Sequence, residues 1–87
     1  MPTYIVERHL QGITVRQLAA LHRRVRERSA ELTAQGRPVH YSQCLFVSSE
    51  SRCLCVFDAA DASLIREVND EAQVPYSRIL PALEFKQ

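Results

Sequence analysis

The sequence predicts an α+β fold in which two helices cover one face of a four-stranded antiparallel sheet. Two segments show the apolar period and the end signals of helices, and four segments are rich in β-favouring residues. These segments follow one another in the order βαββαβ. With 87 residues, the chain has room for one small domain, which we take as residues 1–87.

The first half of the chain contains the clearest strand and the clearest helix. Residues 2–9 are predicted as a strand because they contain a Tyr-Ile-Val run. A helix begins after Thr14, which lies three residues before Gln17 in the arrangement of a capping box. Apolar residues then recur with a period near 3.6. Gly36, followed by Pro38, is a typical helix stop.

The second half is predicted as a hairpin, a helix and a last strand. Residues 39–48 and 52–57 are β-rich and are joined by a Ser-Ser-Glu-Ser segment. Asp61 caps a second helix with one apolar stripe. The last strand, residues 78–85, contains Pro81, which cannot donate to a ladder and so indicates an edge or a bulge. The complete order is that of the ferredoxin-like fold.

One face of such a sheet carries both helices, and the opposite face, the open face, needs a different cover. In a chain this short, a second copy is the simplest cover. We therefore expect a homodimer through the open face, in which two sheets form a dimeric α/β barrel.

The alternation of side chains along each strand assigns residues to the two faces. The helix-covered face is predicted to hold Tyr4, Val6, Val39, Tyr41, Leu45, Val47, Leu54 and Val56. The open face is predicted to hold Ile5, Glu7, His9, His40, Ser42, Cys44, Phe46, Cys53, Cys55 and Phe57. A hairpin that closes around Ser49 and Glu50 places Cys44 opposite Cys55, and a looser loop places it opposite Cys53.

This grouping collects most of the thiol and imidazole groups of the chain. Thiolate and imidazole suit nickel, zinc and copper, whereas oxygen-rich sites suit magnesium and calcium. The candidate metal ligands are His9, His40, Cys44, Cys55, Glu7 and Cys53. The alternative for the cysteines is simple packing, because buried cysteine is a common small core residue. His22 is interpreted as a half-buried core histidine.

Charge and composition bear on the remaining function classes. A formal net charge of +1 argues against binding to a polyanion. The arginines of residues 22–28 spread around a helix axis and alternate with glutamates, as on a solvated face, so we expect no nucleic-acid partner. We also expect no membrane partner, because no run of about 20 apolar residues is present. Three cysteines without an export signal indicate the cytoplasm.

Four segments resemble one family of small bacterial ferredoxin-like proteins, some of them described as nickel-responsive or nickel-binding: MPTYIVER, CLCVFDAAD, SLIREV and AQVPYSRI. The family positions matched are Glu7, Arg8, Cys55, Pro75 and Ile79. The resemblance implies a homodimeric α/β barrel and nickel binding.

The chain departs from the family pattern at four positions. Gln73 replaces the usual Gly, Ala60 replaces the usual Pro, and Cys44 and Cys53 are additional. The candidate ligands come from the alternation of side chains and not from the family.

Two further functions are compatible with this fold. Dimeric α/β barrels also include small-molecule enzymes such as monooxygenases and isomerases, and here Glu7, His9 or His40 would serve as acid or base. Arg8 or Arg52 would then hold an anionic substrate. The second alternative is a structural module without catalysis. We favour a metal-binding protein for sensing, buffering or delivery, with nickel or another divalent ion such as zinc.

Overall fold

The computed structural model describes all 87 residues and confirms the predicted fold. The elements are β1 (Thr3–His9), α1 (Val15–Ala34), β2 (Val39–Val47), β3 (Arg52–Ala59), α2 (Ala62–Glu71) and β4 (Arg78–Ala82). The four strands form one antiparallel sheet in the order β2-β3-β1-β4, and both helices pack on the same face. A single 3₁₀ turn, Ser48–Glu50, joins β2 to β3.

Helix α1 begins where the sequence predicts. The Thr14 hydroxyl accepts a hydrogen bond from the backbone N–H of Gln17 at 3.0 Å, and the Gln17 side chain accepts one from the backbone N–H of Thr14 at 2.9 Å. These two bonds complete a capping box. The helix ends at Ala34, before Gly36, whose φ is 81°. Its buried face holds Leu21, Val25, Ser29 and Leu32.

Helix α2 is capped by Asp61, whose carboxylate accepts a hydrogen bond from the backbone N–H of Ser63 at 2.9 Å. The predicted apolar stripe is buried: Leu64, Ile65, Val68 and Ala72. Neither α1 nor α2 is long and apolar enough to cross a membrane.

The C-terminal end of α2 has the backbone geometry of a Schellman motif. The N–H of Gln73 donates to Asp70 O at 3.1 Å, and the N–H of Val74 donates to Asn69 O at 3.0 Å. The motif requires a left-handed residue, and Gln73 adopts a φ of 57°. A side chain at this φ is strained relative to glycine.

Strand β4 is three residues shorter than predicted. It ends at Ala82, and it pairs only with β1, so it is an edge strand. Pro81 lies opposite Tyr4 in this edge. The predicted edge position of Pro81 is therefore confirmed.

The face assignment of β2 is wrong beyond Tyr41. A bulge leaves Ser42 unpaired, because Tyr41 pairs with Phe57 whereas Gln43 pairs with Val56. One extra residue reverses the alternation for the rest of the strand. Cys44 and Phe46 therefore lie on the helix-covered face, whereas Leu45 and Val47 turn to the open face. Tyr41 and Val39 lie on the helix-covered face, as predicted.

The face assignment of β3 is also wrong. Cys53, Cys55 and Phe57 pair with Arg8, Val6 and Tyr4 of β1, and all three are completely buried. Since opposed residues of an antiparallel pair share a face, these three side chains point towards the helices. Leu54 and Val56 lie on the open face instead, where they pair with Glu7 and Ile5.

The open face combines apolar side chains with one compact ion cluster. Glu7 is only 5% exposed, and its carboxylate accepts hydrogen bonds from Arg78 at 2.7 Å and from Arg52 at 2.8 and 3.1 Å. His9 Nε2 lies 4.0 Å from the same carboxylate. The predicted open-face positions of Ile5, Glu7 and His9 are thus confirmed.

Replacing Gln73 by glycine is expected to increase the free energy of unfolding by about 1 kcal/mol, because it removes the left-handed strain. Chemical denaturation of Gln73→Gly measures the change. Gln35→Gly is the matched control at the end of α1, where φ is −90° and glycine relieves no strain. Equal effects of the two substitutions would contradict the strain argument.

Acid unfolding is expected to depend on Glu7. Hydrogen bonds from Arg78 and then from Arg52 hold the pKa of Glu7 below its ordinary value of 4.5, despite the opposing effect of burial. Because the folded pKa lies below the unfolded one, this contribution to stability is present above pH 4.5 and is lost as the pH falls through the lowered pKa. Glu7→Gln should flatten the dependence of stability on pH between about 5 and 3.

The measurement is urea unfolding over this pH range. Glu84→Gln, in the exposed C-terminal segment, is the control and should leave the wild-type pH profile intact. A Glu7→Gln profile as steep as that of the wild type would show that another carboxylate is responsible.

Candidate metal centre

Three cysteine side chains meet under the helix-covered face of β2 and β3. The Sγ atom of Cys44 lies 2.8 Å from that of Cys53 and 3.1 Å from that of Cys55, and Cys53 and Cys55 are 3.7 Å apart. We call these three residues the thiol cluster. The register explains it, since Cys44 lies directly opposite Cys55 and Cys53 is two residues away on the same side of β3. Of the two registers that the sequence left open, the structure has the one that pairs Cys44 with Cys55.

The other three candidate ligands do not reach the thiol cluster. Glu7 lies on the open face, where both of its oxygens are bonded to arginines. His9 is exposed at the end of β1, close to Glu7. His40 is exposed in β2 and pairs with Asp58, at the far side of the bulge from Cys44. The sheet itself separates these groups from the sulfur atoms.

The buried guanidinium of Arg8 lies beside the thiol cluster, a contact that the sequence did not predict. Its side chain is completely buried, and Nη2 donates to Cys55 Sγ at 3.6 Å. Nη1 donates to the carbonyl oxygen of Pro75 at 3.2 Å, and Nε has no hydrogen-bond partner. No carboxylate accompanies the guanidinium. A buried cation without a carboxylate favours negative charge on the neighbouring sulfur.

A second polar contact connects the thiol cluster to helix α1. The Tyr41 hydroxyl donates to Cys55 Sγ at 3.7 Å and lies 2.8 Å from Nδ1 of His22. The Tyr41 ring also stacks on Phe57, with ring centroids 4.8 Å apart. His22 is thus the half-buried histidine expected from the sequence, and it contacts the Tyr41 side chain that lies beside the sulfur.

The three thiols differ in their tendency to ionise. Hydrogen bonds with Cys44 and Cys53, followed by the charge of Arg8, hold the pKa of Cys55 well below its ordinary value. Hydrogen bonds with Cys44 and with Cys55, followed by burial, raise the pKa of Cys53. For Cys44, the hydrogen bond with Cys53 lowers the pKa, but the bond with Cys55 and burial outweigh it and raise the pKa to about 11. Of the three thiols, Cys55 is therefore the one whose ionisation its surroundings favour.

Access to the thiol cluster runs past Cys44. Cys53 and Cys55 are completely buried, whereas Cys44 is half-buried and lines a cavity of about 240 Å³. The walls of this cavity come from the first half of α1 and from β2: Val15, Leu18, Ala19, His22, Cys44 and Phe46. A ligand that enters from solvent meets the sulfur of Cys44 first.

Two signals in the sequence could have placed these residues better. In β3, the residues at even positions begin with Arg52 and end with Asp58, whereas those at odd positions carry no charge. Charged side chains are expected on the face away from the helices, so the uncharged set belongs on the helix-covered face. Arg8 follows Val6 by two residues and so shares its buried face. No sequence signal marks the bulge at Ser42.

The comparisons with known proteins agree with this fold. Among solved structures, the crystal structure of SCO4226 from Streptomyces coelicolor A3(2) superposes with a TM-score of 0.81 at 16% sequence identity. The match covers 97% of this chain and 99% of that chain. No significant match is found among curated proteins. A family model described as "Nickel responsive protein SCO4226-like" matches residues 4–81, from β1 to β4. The chain therefore belongs to the family of nickel responsive SCO4226-like proteins.

Proposed function

We propose that the thiol cluster binds a divalent transition-metal ion and that the protein senses, buffers or delivers that ion. The family description makes nickel the first candidate and zinc the comparison. The observation that supports the proposal most is the convergence of three sulfur atoms within 3.7 Å of one another. The proposed ligands are Cys44, Cys53 and Cys55, without Glu7, His9 or His40.

The spacing of the sulfur atoms suits a metal ion. Around an ion with metal–sulfur bonds of about 2.3 Å, neighbouring sulfurs lie about 3.2–3.8 Å apart, depending on the coordination geometry. The observed sides of 2.8, 3.1 and 3.7 Å require only a small opening of the triangle. The ligand set contains sulfur alone, which selects nickel, zinc or copper over magnesium and calcium.

Charge balance supports a divalent ion. Three thiolates carry three negative charges, and the guanidinium of Arg8 carries one positive charge. A divalent cation brings the sum to zero in a buried site, where a net charge is costly. A monovalent ion leaves one negative charge uncompensated. Free thiols at this spacing also require a reducing compartment, such as the cytoplasm.

The metal proposal predicts saturable binding of nickel to the reduced, chelator-stripped protein at one ion per chain. Cys44→Ser should weaken binding by more than about 100-fold, because even loss of an outer contact to a ligand costs about 10–100-fold. His40→Ala is the matched control and should leave the affinity unchanged. Isothermal titration with nickel, and then with zinc, measures both.

Two results of this titration would count against the site. Binding that survives in Cys44→Ser would place the ion elsewhere. Absence of heat, together with an unchanged melting temperature in the presence of nickel, would leave the cysteines as packing residues.

We also propose that the open face forms a homodimer. Leu45 and Leu80 are 56% and 37% exposed, and Ile5, Leu54 and Val56 share this face with them. Only 19 of 87 residues are buried within one chain, so a monomer has little core to stabilise it. A second copy would cover the apolar side chains. The carboxylates of Glu7 and Glu50 would already balance the two guanidiniums of Arg52 and Arg78 near the contact.

Light scattering during size-exclusion chromatography tests the dimer. The wild type should have twice the chain mass of 9.9 kDa, and Leu45→Glu should have the mass of one chain, because it buries a charge in the apolar contact. Val15→Glu is the control, since Val15 is an exposed apolar residue of α1, on the helix side. A wild-type mass of one chain at all concentrations would refute the dimer.

A further inference from the structure

We propose that the thiol cluster also reduces hydroperoxides, in a two-electron reaction in which Cys44 is oxidised first and then forms a disulfide with Cys55. The disulfide step is independent of the proposed metal binding. Its consequence for the metal, which is release on oxidation, rests on the proposed function.

The access route makes Cys44 the site of the first step. Cys44 is half-buried in the 240 Å³ cavity, and the other two sulfur atoms lie behind it without exposed surface. The Cys44 sulfur attacks the terminal oxygen of the hydroperoxide, so that an S–O bond forms and the O–O bond breaks. The thiol proton leaves with the released alkoxide as an alcohol, or as water when the oxidant is hydrogen peroxide. Cys44 is then a sulfenic acid.

The second step closes the disulfide. The Cys55 sulfur attacks the Cys44 sulfur, an S–S bond forms, and the S–O bond breaks. Hydroxide leaves and, with the proton that the Cys55 thiol gives up on ionising, forms water. In total, the two thiols lose two electrons and the hydroperoxide gains them. A dithiol reductant would restore both thiols by exchange.

Backbone geometry selects Cys55 over Cys53 as the partner of Cys44. Cys44 and Cys55 are directly opposed in the ladder, where Cα atoms lie about 4.5–5.5 Å apart, within the range of disulfides. Cys53 is the diagonal neighbour of Cys44, and diagonal positions lie about 7–8 Å apart. The short Sγ contact of 2.8 Å between Cys44 and Cys53 therefore arises because the two side chains lean towards each other, although their backbones are too far apart for a disulfide.

The surroundings of Cys55 suit the attacking sulfur. Arg8 and Tyr41 both donate to Cys55 Sγ, and the guanidinium is buried without a carboxylate. Both contacts hold the Cys55 sulfur at the position from which it reaches Cys44, 3.1 Å away. A disulfide between Cys44 and Cys55 removes two of the three sulfur ligands, so a bound ion has only Cys53 left.

The experiment uses the reduced, metal-free full chain and one equivalent of hydrogen peroxide. Free thiols are counted after denaturation, the intact mass is measured, and disulfide-linked peptides are mapped by mass spectrometry. We expect the loss of two thiols, a mass decrease equal to two hydrogen atoms, and a peptide pair that links Cys44 to Cys55. Cys53→Ala should behave in the same way, and Cys44→Ser and Cys55→Ala should form no disulfide.

Several results would overturn the proposal. These are an unchanged thiol count, a mass gain of oxygen without a disulfide, a disulfide that contains Cys53, and disulfide formation in Cys44→Ser. Because peptide mapping of the wild type identifies the pair directly, the test does not depend on the folding of the variants that replace buried cysteines.

A second arm separates this inference from the metal proposal. Nickel-loaded protein is treated with the same peroxide, and released nickel is followed with a chromophoric chelator. Release in step with disulfide formation supports the coupling, and a disulfide that forms while nickel stays bound overturns it. If nickel never binds, the metal proposal fails while the metal-free arm still decides the disulfide.

Discussion

The guanidinium of Arg8 lies beneath the sheet with no carboxylate beside it, and the surrounding structure has to accommodate this charge. Transfer of an ion from water into a protein interior costs several kcal/mol of free energy, unless the groups around the ion replace the stabilisation that water supplied. Here the compensation comes from the carbonyl oxygen of Pro75 and from the sulfur of Cys55. The β2–β3 register that assembles the thiol cluster and the β1–β3 register that positions Arg8 therefore meet at Cys55. The cluster and the arginine form one electrostatic unit.

The sheet divides its charged chemistry between its two faces. Glu7 and Arg8 are adjacent in sequence, yet the alternation of β1 sends them to opposite sides. On the open face, the Glu7 carboxylate is paired with two arginines. On the helix-covered face, the Arg8 guanidinium donates a hydrogen bond to the Cys55 sulfur. An exchange of these partners through the sheet is impossible. The proposed association of two chains and the proposed chemistry at sulfur therefore involve separate surfaces of one small protein.

Local signals predicted the elements of this fold well. The capping box at Thr14, the Asp61 cap and the stripe that includes Ile65 all appear as expected, because each depends on residues within one or two turns of each other. The order of elements then fixes the topology. Strand ends were less accurate: β3 continues to Ala59, beyond its predicted end, and β4 stops at Ala82.

The candidate site was predicted only in part, for a physical reason. The grouping of Cys44, Cys53 and Cys55 followed from hairpin geometry and is present in the structure. The face that Cys44 occupies depends on one unpaired residue in β2. The face that Cys53 and Cys55 occupy depends on which of two alternating sets of β3 side chains is buried, and both sets are apolar in the middle of the strand. Periodicity within one strand carries no information about a bulge. The contact between Arg8 and Cys55 depends on pairing between distant strands, which periodicity also does not contain.

The unpaired Ser42 also bears on how this chain tolerates changes in length. On either side of it, β2 keeps a regular alternation, so Tyr41 and Cys44 face the helices although they are three positions apart. Loss of a single residue at the bulge leaves an uninterrupted strand with every pairing intact. Loss of a residue between Cys44 and the turn would instead shift Cys44 by one position relative to β3, so that it would no longer lie opposite Cys55. Among relatives, single-residue gaps in this strand should therefore collect at one point, and a gap there says nothing about whether a relative has the sulfur site.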